Sequence, residues 1–453
     1  MAIPDAVLRH TPLITEASYR TLQRMLQHPS APRYNHTIGD GVTAEDRETY
    51  LTFRQRMTGP VRTHEPMVDF VGSLRGRSAW VDAHVPVGLH LGRDWHAVPT
   101  MRRHDVASRI EDLVPPDLPL DRMVAYDTSG TTGHAMVIPE HPGSIASRHA
   151  FADAILAELG VARRYTPDDI ACINVCAQRH TFVMANTFSV WEGAGFAKIN
   201  LHHADWAGGP QAARRFTGEL APHFLTGDPI AFAEAMAWDL PVSPAALLTT
   251  AVTLEPALRQ RLESHFGCPV VDWYSLTETG PLAVTTHGRG YRLFAPDVYV
   301  EAVDADGVPV ADGEPGELVV TGGRNPYLPL VRYRTGDRGV FGTVDGPDGP
   351  ERGLVRIEGR HAVIFRDARG SPVNAVDLSR VMREHAVFVS HRLHQSADRT
   401  CALTLRPMPG VPIDTNQVRR EVERLLEGTP VRVTIDETLG DDGKTVPFSS
   451  DAA

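Results

Sequence analysis

The chain has 453 residues, 42% of them hydrophobic and 22% charged, which sets an expectation of two or three domains, or of one large domain with an appendage, in an ordinary globular protein. Its formal net charge of -11 excludes a non-specific grip on nucleic-acid phosphates, which needs a basic face. The four cysteines (Cys172, Cys176, Cys268 and Cys401) form no CxxC pair and read as small buried side chains of a cytoplasmic protein. The absence of any run of roughly 18 apolar residues predicts no contact with a membrane by a spanning helix.

The start, MAIPDAVLRHTPLITEASYR, lacks the basic and apolar blocks of a signal peptide. Residues 1–60 read as mainly helical. TEASYRTLQRMLQHP and TAEDRETYLTFRQRM each open on Thr with an acid in the first turn. DRMVAY reads as a strand, TSGTTG as the loop after it, and AMVIP as a returning strand. HPGSIASRHAFADAILAELG has the pattern of an amphipathic helix. DIACINVCA then reads as a strand, FVMANTFSVWEGAG as a helix, FAKINL as a strand and GPQAARRFTGELAP as a helix. HFLTG, PIAFAEAMAWDL, AALLTTAV and EPALRQRLESHFG continue the alternation up to the strand PVVDWYS. Such alternation predicts parallel strands with covering helices. Residues 291–345 are strand-rich, with Gly and Asp turns. The fold class expected is therefore α/β. A core of residues 1–358 contains a β-rich part at 291–345. A hinge at 359–363 follows, then a small mobile α+β domain at 364–453.

The loops form a chemical set. Residues 126–139, YDTSGTTGHAMVIP, hold a run of only Thr, Ser and Gly from Thr128 to Gly133. Glycine lets several backbone N–H groups point into one concavity, and hydroxyls add donors, so such a loop can cradle phosphate oxygens. A polar linker has the same composition. In DWYSLTETG, Tyr274 is suited to stack on a base, Thr277 to donate to a phosphate and Glu278 to hold Mg²⁺. In YRTGD, Asp337 comes just past a predicted strand, where a carboxylate can take two ribose hydroxyls. EGR places Arg360 at the domain joint, and DDGKTVPF places Lys444 in a glycine-containing loop.

In order and type this series resembles the adenylate-forming superfamily of acyl-CoA synthetases, peptide-synthetase adenylation domains and firefly luciferase. The likeness runs from about residue 120 to the end, and YDTSGTTGHAMVIP is most similar to the phenylacetate–CoA ligase branch. The resemblance implies that Thr128, Ser129, Gly130, Thr131, Thr132 and Gly133 hold the phosphates of ATP. It places Tyr274 on the adenine, with Ala251 and Val252 of TTAVTL on the other face. Thr277 then lies near the α-phosphate, Glu278 on Mg²⁺, Asp337 on the ribose and Arg360 on the ribose or phosphates. Lys444 would bridge the substrate oxygen and the α-phosphate. The implied chemistry is attack of a carboxylate oxygen on the α-phosphorus, with loss of pyrophosphate. Charge builds on the phosphoryl oxygens, so donors, Mg²⁺ and a lysine must already be aimed there.

Three positions depart from the family pattern. Met136 stands where a lysine is common, Ala362 at the hinge where Asp or Lys is usual, and VIFRDARGSPVNAVDLSRVM only loosely follows the glycine-bearing segment. The last two bear on transfer to coenzyme A, not on adenylation. His180, Phe182, Phe188, Trp191, His202 and His203 are candidates for the substrate wall, and a core helix with an ordinary loop would explain the same residues. The first functional expectation is activation of a small, aromatic carboxylic acid and transfer to coenzyme A or a carrier thiol. A second replaces the acid by nitrite and the thiol by an aryl amine, the chemistry of a small branch that His134 also suggests. A third is nucleotide binding without turnover.

Overall fold

Thr side chains start the N-terminal helices as expected. Thr15 accepts a hydrogen bond from the Ser18 N–H at the head of helix Glu16–Leu26. Thr43 opens helix Ala44–Gln55 with a reciprocal capping box to Asp46. Each such cap contributes about 1 kcal/mol. The computed structural model describes residues 2–452 apart from 58, 109, 128–135, 162–163, 179–180, 252–253, 359–362, 387, 408–410 and 440–446. Its described part divides into two units. One comprises Met1–Tyr126, Ile138–Cys176 and Phe182–Arg360; the other comprises Asp127–Val137, Ala177–Thr181 and His361–Ala453.

Strands β1 (Val124–Asp127) and β2 (Val137–Glu140) pair with each other on either side of 128–135. The helix after them, Pro142–Glu158, is less amphipathic than its sequence suggests, because ten of its residues are buried. It is covered on more than one side. Phe151 meets Phe53 of the helix Ala44–Gln55 and Phe294 at ring distances of 5.6 and 4.9 Å.

Twelve strands follow in one sheet: β3 (Ile170–Cys176), β4 (Met184–Phe188), β5 (Ala194–Asn200), β6 (Phe224–Gly227), β7 (Leu247–Thr249), β8 (Val270–Leu276), β9 (Gly280–Thr285), β10 (Tyr291–Leu293), β11 (Val298–Val303), β12 (Pro315–Gly322), β13 (Leu330–Gly346) and β14 (Gly349–Glu358). Their spatial order is β11-β12-β13-β14-β10-β9-β8-β7-β6-β3-β5-β4. The run β5-β3-β6-β7-β8 is parallel, with helices Gly209–Leu220, Pro229–Ala237 and Pro256–Phe266 in its crossovers. The remaining pairs are antiparallel, so the sheet is mixed, and the fold is α/β as expected.

One element differs from the sequence reading. FVMANTFSVWEGAG is not an α-helix. It forms β4 and a 3-10 turn, Ser189–Trp191. Glu192 and Gly193 take left-handed φ values of 54° and 78°, and the Gly193 N–H bonds the Phe188 carbonyl at 2.9 Å. That turn folds β4 back antiparallel on β5. A short apolar run with aromatic and β-branched residues satisfies either period, and the turn decides it.

Cys172 and Cys176 lie on β3 as free thiols, pushed by burial up to about 12 and about 11. Among the described residues no group of three His, Cys, Asp or Glu side chains could hold a metal, and no helix is long and apolar enough to cross a membrane.

In the second unit, β15 (Ile364–Arg366) pairs with β16 (Pro372–Asn374). β17 (Phe388–Gln395), β18 (Cys401–Pro407), β19 (Val431–Ile435) and β20 (Phe448–Ser450) form a sheet in the order β19-β18-β17-β20. Helices Ala375–His385 and Thr415–Leu425 close over it, and Phe365, Leu378, Met382, Leu393, Leu403 and Val418 are among its core residues. Asp414 caps the second helix, its side chain accepting from the Asn416 and Gln417 N–H groups.

Candidate active site

The carboxyl ends of parallel strands are where open α/β sheets build their sites. Here β7 and β8 end side by side. Thr249 closes β7 with a buried hydroxyl that has no hydrogen-bond partner among the described residues. The Thr250 hydroxyl lies 2.8 Å from that of Ser275 on β8. Ala251 follows with φ 79°, a sparsely populated backbone for a residue with a Cβ. A register shift between Tyr274 and Ser275 then bends the end of β8.

Thr277, Glu278 and Thr279 form the tight turn from β8 into β9. Gly280 completes it at φ 69°, and a Cβ there would come 2.7 Å from Arg324 Nη1. Two arginines brace this turn. Arg324 donates to the Thr279 and Pro281 carbonyls at 2.9 and 3.0 Å while held by Asp297. Arg148 donates to the Thr277 carbonyl at 3.4 Å and pairs with Glu140 of β2.

Asp337 does not lie past a strand, as its sequence context suggested, but within β13. Glu317 of β12 faces Arg338 and Val319 faces Arg334, so residues 335–337 bulge out opposite the single residue Leu318. Gly336 takes φ 78° in the bulge. Thr335 secures it, donating to the Leu318 carbonyl at 2.8 Å and accepting from the Asp337 N–H at 3.1 Å. A bulge re-aims a side chain, and here it turns Asp337 toward β8.

The result is a pair of matched hydrogen bonds. Tyr274 donates to Asp337 Oδ2 at 3.0 Å, and Tyr333 donates to Glu278 Oε1 at 2.8 Å. Both carboxylates are 5% exposed. Asp337 Oδ1 is buried with no hydrogen-bond partner among the described residues. Burial, with the nearby Glu278 charge, holds the Tyr333 hydroxyl far above its ordinary titration range, so it stays a donor. Arg103, on the short helix Arg103–Ser108, places Nη1 3.6 Å from Glu278 Oε1.

The structure thus gathers Tyr274, Thr277, Glu278 and Asp337, with Ala251 on the neighbouring strand end. Thr128, Ser129, Gly130, Thr131, Thr132, Gly133, His134, His180, Val252, Arg360, Ala362 and Lys444 lie outside the described residues. Of the candidate wall residues, Trp191 stands in the core. Its rings pack on His149, Tyr165, Phe188 and Phe224, and its indole donates to Asp153 at 3.1 Å. Phe182 is 40% exposed with Lys198 Nζ 3.2 Å above its ring. His202 accepts from the Ala204 N–H and so caps the short turn His203–Asp205.

Sequence reasoning missed Arg103, Arg148, Arg324 and Tyr333. Tyr333 lies inside the quoted YRTGD and was passed over for Asp337. The three arginines sit in no motif, and only the fold brings them to the turn.

The chain is also similar to known proteins. The AMP-binding enzyme family matches residues 104–325. Phenylacetate-coenzyme A ligase of Escherichia coli is 35% identical over 109 residues, 23% of this chain and 24% of that protein. Triostin synthetase I of Streptomyces triostinicus is 30% identical over 148 residues, 29% of this chain and 27% of that protein. Protein CapK of Staphylococcus aureus is 22% identical over 252 residues, 53% and 52% of the two chains. The chain therefore spans about half or less of the curated relatives it matches. In fold it is similar to a crystal structure of 2-hydroxyisobutyryl-CoA ligase in complex with 2-HIB-AMP and CoA, with a TM-score of 0.52 at 17% identity over 91% of each chain. Residues 104–325 thus match the AMP-binding enzyme family, and the fold of the chain is similar to that of a CoA ligase.

Proposed function

We propose that the chain is an ATP-dependent adenylate-forming ligase. It activates a small aromatic carboxylic acid as acyl-AMP and passes the acyl group to the thiol of coenzyme A or of a carrier. The observation that carries this reading is the matched pair Tyr274–Asp337 and Tyr333–Glu278, which sets an aromatic ring and two buried carboxylates in one place. The spare Asp337 Oδ1 is an acceptor waiting for a hydroxyl, and a ribose supplies two. Tyr274 has its hydroxyl tied, which fixes the ring for a base to stack on. Ala251 and Val252 take the base's other face.

Glu278 suits Mg²⁺. Among the described residues it is a buried carboxylate outside any cluster of three ligands, and Mg²⁺ is commonly held by one or two carboxylates plus substrate phosphates. Bound there, the ion would neutralise charge on the phosphates. Tyr333 holds the Glu278 carboxylate in orientation, and the braced turn fixes Thr277 for the α-phosphate. Thr128–Gly133 would cradle the phosphates, Arg360 would contact the ribose or phosphates, and Lys444 would bridge the carboxylate and the α-phosphate. In the first half-reaction the substrate carboxylate oxygen bonds to the α-phosphorus. The bond from that phosphorus to the bridging oxygen breaks, and pyrophosphate leaves with the electron pair. In the second, a thiolate adds to the acyl carbon and AMP leaves.

The aromatic acid rests on the likeness to phenylacetate-coenzyme A ligase, with Phe182, His180 and His202 as proposed wall residues. The domain reading, a core to residue 358, a hinge at 359–363 and a small mobile domain at 364–453, belongs to the same proposal. The test is AMP and pyrophosphate release from ATP with a panel of aryl acids, with and without coenzyme A, and separately with nitrite plus aminoaryl acids. Acid-dependent AMP release supports the reading, and a coenzyme A requirement assigns the acceptor. AMP release that depends on nitrite would replace the acid, and ATP binding with neither would leave a nucleotide-binding protein without turnover.

A further inference from the structure

Residues 96–103 are joined to β13 along their length. Arg332 donates to the His96 and Val98 carbonyls at 3.1 and 2.8 Å. The Arg334 N–H donates to the Met101 carbonyl at 2.9 Å, and Arg334 Nε donates to the Thr100 hydroxyl at 3.0 Å. Arg332 itself adopts φ 43° and is locked by Glu301 at 2.8 Å. The next residues of this strap deliver Arg103 beside Tyr333 and Glu278. Its side chain is 17% exposed, its Nη1 is 3.6 Å from Glu278 Oε1, and it also hydrogen-bonds the Tyr333 hydroxyl. The strap lies just outside the segment that matches the AMP-binding family, which begins at residue 104.

A carboxylate as buried as Glu278 needs a counter-charge when nothing is bound. Arg103 supplies it. Glu278 is also the carboxylate assigned above to Mg²⁺, and a guanidinium and a divalent cation compete for the same oxygens. When nucleotide enters, Arg103 is left with its charge beside the incoming phosphates, and a guanidinium fork fits phosphate oxygens. Resting on the adenylation reading, we propose that Arg103 is a phosphate-binding residue of the site, held on Glu278 in the free protein and turned to the ATP phosphates in the complex.

The experiment is calorimetric titration of the full chain with ATP and, by competition, with adenosine, in the presence of Mg²⁺. It compares the unaltered protein, Arg103→Gln and Arg103→Lys, with thermal melts of each to confirm folding. Arg103→Gln is expected to weaken ATP about ten- to hundred-fold, as for loss of a charge-assisted hydrogen bond, while adenosine changes less than about two-fold. Arg103→Lys, which keeps the charge without the fork, should fall between. Equal losses for ATP and adenosine, or no loss for ATP, would overturn the assignment and leave Arg103 a structural partner of Glu278. If the unaltered protein binds no ATP, the adenylation reading itself falls and takes this assignment with it.

Discussion

Tyr274 on β8 donates to Asp337 on β13 at 3.0 Å, although three strands separate β8 from β13 in the sheet. Four residues away in the chain from each, Glu278 in the turn after β8 meets Tyr333 on β13 at 2.8 Å. The sheet curls enough to bring the end of β8 against the bulge of β13, and two tyrosine–carboxylate bonds fasten it there. The pairs exchange residue types across the gap, so β8 with its turn and β13 each contribute one donor and one acceptor.

Asp337→Asn tests the spare oxygen. The amide keeps the shape and can still accept from Tyr274, but it presents an NH₂ where the ribose hydroxyls would donate. ATP binding should weaken about ten-fold or more, with the melting temperature little changed. Tyr274→Phe should act on stability too, because it leaves both Asp337 oxygens buried without a donor, and it should cost about 1–3 kcal/mol in denaturant unfolding. Unchanged ATP affinity in both variants would remove Asp337 from the nucleotide site.

Lys444→Ala and Glu278→Gln separate chemistry from binding. Each removes a charge proposed to act at the phosphoryl group. Acid-dependent pyrophosphate release should therefore drop on the order of a hundred-fold or more. Lys444→Ala should melt normally, while Glu278→Gln keeps an acceptor for Tyr333 but removes the counter-charge of Arg103, so its turnover is read beside its melt. Normal turnover in Lys444→Ala would remove the bridging role.

The buried pair Arg332–Glu301 predicts an asymmetric response. Glu301 is 4% exposed and also faces the Trp95 indole. Arg332→Met alone leaves that carboxylate unpaired and should cost about 3–5 kcal/mol. Arg332→Met combined with Glu301→Leu should recover much of the loss, since two apolar side chains need no counter-charge. Denaturant titration of the two variants distinguishes these outcomes.

His149 gives a pH prediction. Burial pushes its imidazole down to about 4 from the ordinary 6.5, against Phe188 and Trp191. The unfolded chain therefore takes up a proton that the folded one refuses as pH falls below 6.5. Stability contributed by the neutral ring is fully present above that point and drains away toward pH 4, by about 3 kcal/mol in all. His149→Gln should flatten the stability curve across that window. A curve of unchanged slope would mean that the ring is not held neutral.

Much of the architecture was legible from residue order. Thr15, Thr43 and Asp414 are caps that announce their helices, and strands β3, β5, β6 and β8 lie where alternating apolar runs placed them. β4 was not legible, because MANTF fits a buried helix turn or a strand equally well until Glu192 and Gly193 fix the return. Tyr274, Glu278 and Asp337 stood out as candidate site residues by their motifs. Their mutual bonding did not, because it depends on a strand order that no local pattern encodes. Arg103, Arg148 and Arg324 were invisible for the same reason. A lone arginine carries no periodic or turn signal, and its partner is chosen by tertiary contact.

The hydrogen-bonded seam between residues 96–101 and β13 has a consequence for where this protein can be cut. The family match starts at residue 104, and a fragment begun there would discard Trp95 and two of the three carbonyls that receive Arg332. The boundary of the family match falls just past a strap that is hydrogen-bonded into the fold. The strap that precedes the match is fastened to β13, which lies beyond the other end of that match.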